Sequence, residues 1–201
     1  MKKAKKIKIC FILVIIIAVL LRLYRGAATV VCEKSKAEFS SYASLVFYKS
    51  VAEVLNSGGY GDIIETQKDN DGFVTFVSTD PVKVNMLTQK LVDLTYSDYL
   101  DYLAKGTAIN AGAFTGIKLL SAYGKETSVK LTSVANVFCE LSGESDELSI
   151  NQTRNRYYIV MKIEYSFVMP YYVERGTIEL KYLLYDFLVV GRVPNVYFKA
   201  K

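Results

Sequence analysis

The side chains best suited to chemistry lie in one polar run, INQTRNR, at residues 150–156. Asn151, Gln152, Arg154 and Arg156 combine amides with guanidinium groups, which can hydrogen-bond a glycan or pair with an anion. We predict these four residues as the candidate contact site for a ligand or partner. A structural role is the alternative, because polar side chains at a strand entrance often hydrogen-bond the loop backbone.

Signals for catalysis or metal binding are weak in the rest of the chain. There is no histidine, which excludes Ser-His-Asp and Cys-His catalysis and histidine-ligated zinc. Asp98 and Asp101 share a predicted helix face, and a solvated surface explains them better than acid-base catalysis. Asp69 and Asp71 begin like a calcium loop, but no glutamate closes it. We therefore predict no enzyme activity, no cofactor and no metal site.

The three cysteines indicate little redox chemistry. Cys10 lies within an apolar run, so Cys32 and Cys139 form the one intramolecular pair possible outside it. Two free thiols are the favoured interpretation, with Cys139 as a small core residue and Cys32 free or near lipid.

An apolar run near the N-terminus has the features of a membrane anchor. If it is one, every later element lies close to the membrane. The run is unbroken from Ile9 to Leu21 and covers residues 7–24 with its ends. As a helix, these residues rise about 27 Å, close to the roughly 30 Å of hydrocarbon in a bilayer. A cleaved signal peptide is the alternative; the arginines at 22 and 25, just before any cleavage point, argue against it.

Charge predicts the orientation of this anchor. Five lysines precede the run and only two arginines follow it, so the N-terminus should face the cytoplasm. We predict a cytoplasmic tail at 1–6, a transmembrane anchor at 7–25 and an extracytoplasmic domain at 26–201. The protein is then a single-pass protein of the cell membrane that contacts the bilayer through the anchor.

The basic excess belongs to the anchor as well. The chain has 25 Lys and Arg against 20 Asp and Glu, a net charge of +5, but residues 1–25 hold seven of the basic and none of the acidic side chains. Residues 26–201 therefore carry a net charge of −2. A nucleic-acid partner is not indicated.

Residues 33–106 are predicted to form an α-β-β-α half. A helix over 34–55 should bury a stripe with three- and four-residue spacing, formed by Ala37, Ser41, Ser44, Leu45, Tyr48, Ala52 and Leu55. A hairpin should follow, with strands at 62–67 and 73–79. Asp80 and Pro81 then open a second helix that ends at Lys105-Gly106; its apolar face is Val84, Leu87, Leu91, Leu94, Leu100 and Leu103.

Residues 107–201 are predicted to form a β-rich half, which makes the fold class α+β with mostly antiparallel strands. Alternation of apolar and polar residues predicts strands at 129–141 and 157–169. The remaining predicted segments are an irregular or extended connection at 107–126, a polar turn at 142–146, a short strand or bend at 148–153 and one or two strands within 176–190.

Four stretches carry a family resemblance. They are NDGFVTFVSTDPVKVNMLTQKL (70–91), GAFTGIKLLSAYG (112–124), INQTRNRYYIVMKI (150–163) and YLLYDFLVVGRVPNVYF (182–198). Together they resemble the YunB family of sporulation proteins from endospore-forming Gram-positive bacteria (Firmicutes). Lys125, where the family usually has proline, and Ser149, where it often has glycine, indicate a divergent member. The resemblance implies a role in forming normal spores, with no established enzymatic activity or ligand.

The functional hypothesis is a membrane-anchored sporulation protein that acts through protein contacts at spore membranes or the spore envelope. The candidate partners are the bilayer, other membrane or envelope proteins, and a second copy of the chain. One alternative is an oligomeric ring-forming or scaffold module, by analogy with other α-β-β-α domains. Another is a peptidoglycan-binding or cell-wall-modifying protein that uses Asn151, Gln152, Arg154 and Arg156.

Overall fold

The computed structural model describes residues 2–58, 63–70, 72, 74–130, 132–149, 152–169 and 172–191, and its helices and antiparallel strands confirm the α+β class. The elements are α1 (Lys2–Asn56), β1 (Ile64–Lys68), β2 (Val74–Thr79), α2 (Pro81–Lys105), β3 (Thr107–Asn110), β4 (Glu126–Val129), β5 (Thr132–Ser149), β6 (Gln152–Met169) and β7 (Tyr172–Val190). Contacts group the chain into a first unit (Met1–Ala43, Tyr99–Ala135 and Tyr165–Gly176) and a second unit (Ser44–Asp98, Asn136–Glu164 and Thr177–Lys201).

Helix α1 is longer than the sequence predicts. It is one helix of 55 residues that joins the predicted anchor to the predicted helix at 34–55 without a break. Gly26 costs only about 1 kcal/mol against alanine inside a helix. The next turns are held by packing, because Ala28, Val31 and Cys32 are fully buried.

The buried stripe of α1 has the predicted period but a different phase. Leu45 and Tyr48 of the predicted stripe are 68% and 48% exposed, whereas the buried positions include Phe39, Phe47 and Val54 at 0%. The predicted stripe of Ala37, Ser41, Ser44, Leu45, Tyr48, Ala52 and Leu55 is therefore wrong. Its members are mostly small, and the largest apolar surface on the helix determines which face is buried.

The hairpin and the start of α2 follow local sequence signals. Strands β1 and β2 pair antiparallel, with Ile64 opposite Thr79; residues 62 and 73 of the predicted strands lie outside the described residues. Asp80 caps α2, because its Oδ1 accepts hydrogen bonds from the N–H groups of Val82 (2.9 Å) and Lys83 (3.3 Å). The helix ends at Lys105, as predicted, before Gly106 with φ 76°.

The buried face of α2 is partly aromatic. Leu87 and Leu91 are fully buried as predicted, and Thr95 and Tyr99 continue their face at 0% exposure. The Thr95 hydroxyl is satisfied by the Leu91 carbonyl oxygen at 2.6 Å. Leu100, which the sequence places on this face, is 47% exposed.

The connection at 107–126, predicted as irregular or extended, is extended at both ends and folded into short turns between them. Strands β3 and β4 pair antiparallel from Thr107 opposite Val129 to Asn110 opposite Glu126. Two 3-10 turns, Ala111–Thr115 and Lys118–Leu120, lie between these strands. The paired strands agree with the extended form of the prediction, and the two turns between them were not predicted.

Strands β5, β6 and β7 form a three-stranded sheet in that order. Side-chain pairs such as Ser133 with Ser166 and Ser145 with Asn155 show that β5 and β6 are antiparallel, because one number falls as the other rises. The alternation predicted for β6 is confirmed, with Ile159, Met161, Ile163, Tyr165 and Phe167 all buried.

The predicted turn at 142–146 is wrong, because these residues belong to β5. Their polar side chains find partners across the strands: Ser145 Oγ donates to Asn155 Oδ1 at 2.6 Å, and Asp146 pairs with Arg156. The predicted strand or bend at 148–153 is likewise divided between the end of β5 and the start of β6. A single strand, β7, fills the segment predicted as one or two strands and begins earlier, at Tyr172.

Candidate functional site

The predicted polar site lies at the start of β6, in the second unit. Gln152 is the first residue of the strand, and Arg154 and Arg156 follow at the two-residue spacing that places side chains on one face of a sheet. Asn151 lies outside the described residues. The structure therefore brings three of the four predicted residues onto one strand face.

Arg154 pairs with a carboxylate of the neighbouring strand β7. Its Nε donates to Asp186 Oδ1 at 2.8 Å, and its Nη2 donates to Asp186 Oδ2. This two-point contact is the geometry that guanidinium and carboxylate groups favour. The hydrogen bond from Arg154 lowers the pKa of the Asp186 carboxyl below its ordinary value.

Arg156 pairs with carboxylates on the other side, from β5. Its Nη2 donates to Asp146 and lies 3.8 Å from Glu144 Oε2. Two guanidinium groups thus lie among the three carboxylates of Glu144, Asp146 and Asp186. The local charge is negative overall, which disfavours an anionic ligand and favours a role in joining the strands. Ligand or partner contact at Gln152, Arg154 and Arg156 stays a prediction.

Replacement of Arg154 by alanine should raise the pKa of Asp186, because the carboxylate loses the hydrogen bonds that stabilise its charged form. In the unchanged protein this pair stabilises the fold above the ordinary carboxyl pKa, and the contribution is lost as the pH falls through the lowered pKa. Carbon-13 titration of Asp186 should detect the difference. Lys162→Ala is the control, since Lys162 pairs with Glu140; an Asp186 pKa unchanged by Arg154→Ala would contradict the ion pair.

A second candidate surface lies in the first unit, where the connection between β3 and β4 meets α1. Gly116 has φ 73°, and a Cβ there would lie 2.8 Å from the backbone nitrogen of Ala27. A Cβ on Gly26 would lie 3.6 Å from the Gly116 Cα. The two backbones therefore approach as closely as glycine permits.

Polar contacts fix the same connection to the next turns of the helix. Lys118 Nζ lies 2.7 Å from Glu33 Oε2. Lys34 Nζ donates to the carbonyl oxygen of Ser121 and lies 3.4 Å from Asn110 Oδ1. Because the connection contacts α1 at several points, its position against the helix is fixed.

Two apolar cavities border the glycine contact. The larger, of about 570 Å³, is lined by Ile17, Leu20, Leu21, Leu23, Tyr24, Ala27, Phe114 and Met169. The other, of about 310 Å³, is lined by Val19, Arg22, Leu23, Gly26, Thr115, Gly116 and Ile117. Both include residues of the predicted anchor, so the connection extends beside the segment that the sequence assigns to the membrane.

A comparison with known families finds a match in the part of the chain that follows α2. Residues 106–196 match the family model described as sporulation protein YunB. This stretch, less than half of the chain, is similar to the YunB family. The match supports the predicted family and, with it, a sporulation-related role. Comparisons with curated proteins and with solved structures gave no match.

The YunB match covers the first candidate surface and the β3–β4 side of the second, but not α1. It begins just before β3, includes the β3–β4 connection and the arginines of β6, and continues beyond β7. Sequence reasoning missed the second of these surfaces, because the glycines of residues 112–124 indicated only a connection. The signal that could have found it is the apolar content of the same run, with Phe114, Ile117, Leu119, Leu120 and Tyr123.

Cys32 and Cys139 are free thiols. Cys32 is buried, with its sulfur 3.8 Å from Met169 Sδ, and burial, with a smaller effect of Glu174, raises its pKa to about 11. Burial also raises the pKa of Cys139 to about 12. Because the thiolate is the reactive form, neither residue is suited to nucleophilic or redox chemistry at neutral pH.

Proposed function

We propose that this protein is a single-pass membrane protein of sporulation, with its N-terminus in the cytoplasm. The observation that carries the proposal is the exposed apolar part of α1. Its most apolar 18-residue window has a mean hydropathy of 2.2 and is only 11% buried, and residues 11–23 are exposed throughout. Water disfavours an apolar surface of this length, whereas a bilayer accommodates it.

The region beyond the anchor acts, in this proposal, by binding other proteins at the spore membranes or envelope. Among the described residues, β5 and β7 are the edges of their sheet, and long sheet edges can accept a strand from another chain. In the second unit these two strands expose five large apolar side chains, 44–58% accessible: Phe138, Leu148, Leu183, Leu188 and Val190. Such residues are suited to contact with a protein partner.

Gene deletion followed by complementation tests both parts of the proposal. Cells without the gene should form fewer spores that resist heat and lysozyme, and the unchanged gene should restore them. A chain with Ile16→Arg and Val19→Arg should fail, because each charge costs about 2.5–3.5 kcal/mol at the centre of a membrane helix. The matched control, Ile16→Leu with Val19→Leu, should restore resistance.

Different results would reject different parts. Unchanged spore number and resistance after deletion would contradict the sporulation role. Full complementation by the arginine variant, with the protein recovered in the soluble fraction, would contradict the need for a membrane anchor.

A further inference from the structure

We propose that the connection between β3 and β4, residues 111–125, inserts into the membrane interface beside α1 and contacts lipid. We call it the interfacial loop. The inference rests on the proposed function in one respect, namely that α1 spans a bilayer. It adds a second membrane contact, made by the folded region itself.

The residues of α1 that lie beside the interfacial loop indicate how far the loop reaches along the predicted anchor. Phe114 lines the same cavity as Ile17 and Leu20, and Ile117 lines the same cavity as Val19. Ile17 precedes Gly26, where the loop backbone meets the helix, by about 13 Å of helix rise. Side chains of the loop therefore extend beside the last turns of the predicted anchor.

The outward side chains of the interfacial loop are apolar. Leu119 is 83% exposed and Tyr123 is 69% exposed, and Phe114, Ile117 and Leu120 are 40–51% exposed. Transfer of such surface from water to a hydrocarbon environment is favourable by roughly 25 cal/mol per Å². Tyrosine is also enriched at the membrane-water boundary, where its ring and hydroxyl meet both environments.

The backbone of the loop is suited to a medium poor in water. Polar backbone groups in that environment need partners within the protein, and this loop supplies many of them. Ala111 N–H donates to the Lys125 carbonyl oxygen at 3.0 Å and Gly112 N–H to that of Tyr123 at 2.9 Å. Leu120 N–H donates to the Ile117 carbonyl oxygen at 3.0 Å, which helps to hold the loop in a compact turn.

Single tryptophan residues can measure this insertion, because the chain has no tryptophan of its own. Leu119→Trp reports on the loop, and Tyr123→Trp is a second reporter in case the first disturbs folding. Leu20→Trp, in the anchor, is the positive control. Ser41→Trp is the negative control, since Ser41 is exposed on α1 and lies about 24 Å of helix rise beyond Arg25.

Each full-length variant would be reconstituted in phosphatidylcholine vesicles with or without brominated acyl chains. We expect brominated lipid to remove most of the emission of Leu20→Trp and of both loop reporters, and to leave Ser41→Trp unchanged. Quenching of Leu20→Trp alone would show that the loop does not insert, and it would leave the proposed anchor unchanged. No quenching at Leu20→Trp would contradict the anchor itself. Loop reporters shielded from aqueous acrylamide but unquenched by lipid would indicate a protein cover, which also overturns the proposal.

Discussion

Alanine at Gly116 should destabilise the fold far more than alanine at Gly58, although the two glycines have similar backbone conformations. Their φ angles are 73° and 80°, so a side chain at either position incurs the cost of a left-handed residue, about 1–2 kcal/mol. A Cβ at Gly58 would meet nothing within 4 Å, whereas at Gly116 it would lie 2.8 Å from the Ala27 nitrogen and 2.9 Å from the Gly26 carbonyl carbon.

The difference between these two variants isolates the close approach of the loop to α1. Forced shifts of packed atoms typically cost a further 1–3 kcal/mol or so, and the neighbours of Gly116 are backbone atoms that cannot rotate away. Thermal unfolding of both variants in the same detergent, followed by circular dichroism, should give a clearly lower midpoint for Gly116→Ala. Equal midpoints would mean that the loop does not pack against the helix at Gly26.

Features set by neighbouring residues were predictable from the sequence. Asp80 and Pro81 mark the start of α2 and Gly106 marks its end, because caps and left-handed glycines act within one turn. The alternation in β6 also identifies its buried face locally, because successive residues of a strand point to opposite sides of the sheet.

Features set by distant residues were not predictable in the same way. The polar run Ser142–Asp146 has the composition of a turn, and its place in β5 depends on partners in β6 such as Asn155 and Arg156. The phase of the α1 stripe depends on which elements pack against the helix. Periodicity alone cannot decide between two faces that both carry small and apolar residues.

The candidate sites differ in how far the sequence indicated them. Gln152, Arg154 and Arg156 were identifiable by residue type, but the carboxylates that pair with the two arginines come from β5 and β7 and carry no local signal. The interfacial loop could not be identified by residue type, because its apolar residues look like those of a core. Its apolar residues are recognisable as a surface only when the structure places them, exposed, beside the anchor.

Alanine at Phe39 should have the largest effect of any truncation on α1. Phe39 is fully buried, and its ring centroid lies 6.1 Å from that of Tyr99, 5.7 Å from that of Tyr102 and 5.5 Å from that of Tyr165. In the first unit this one side chain therefore contacts aromatic residues of α2 and β6. Removing such a ring typically costs about 3–5 kcal/mol, because the cavity it leaves is only partly refilled.

Leu45→Ala is the matched control for Phe39→Ala, because it truncates a large apolar residue on the same helix. The sequence places Leu45 in the buried stripe, whereas the structure leaves it 68% exposed, so its loss should change stability by no more than about 0.5 kcal/mol. Thermal unfolding in one detergent, with limited proteolysis as a second readout, should separate the two variants clearly. If Leu45→Ala lowered the stability more than Phe39→Ala, α1 would present the opposite face to the core. The contacts of Phe39 with Tyr99, Tyr102 and Tyr165 would then be wrong.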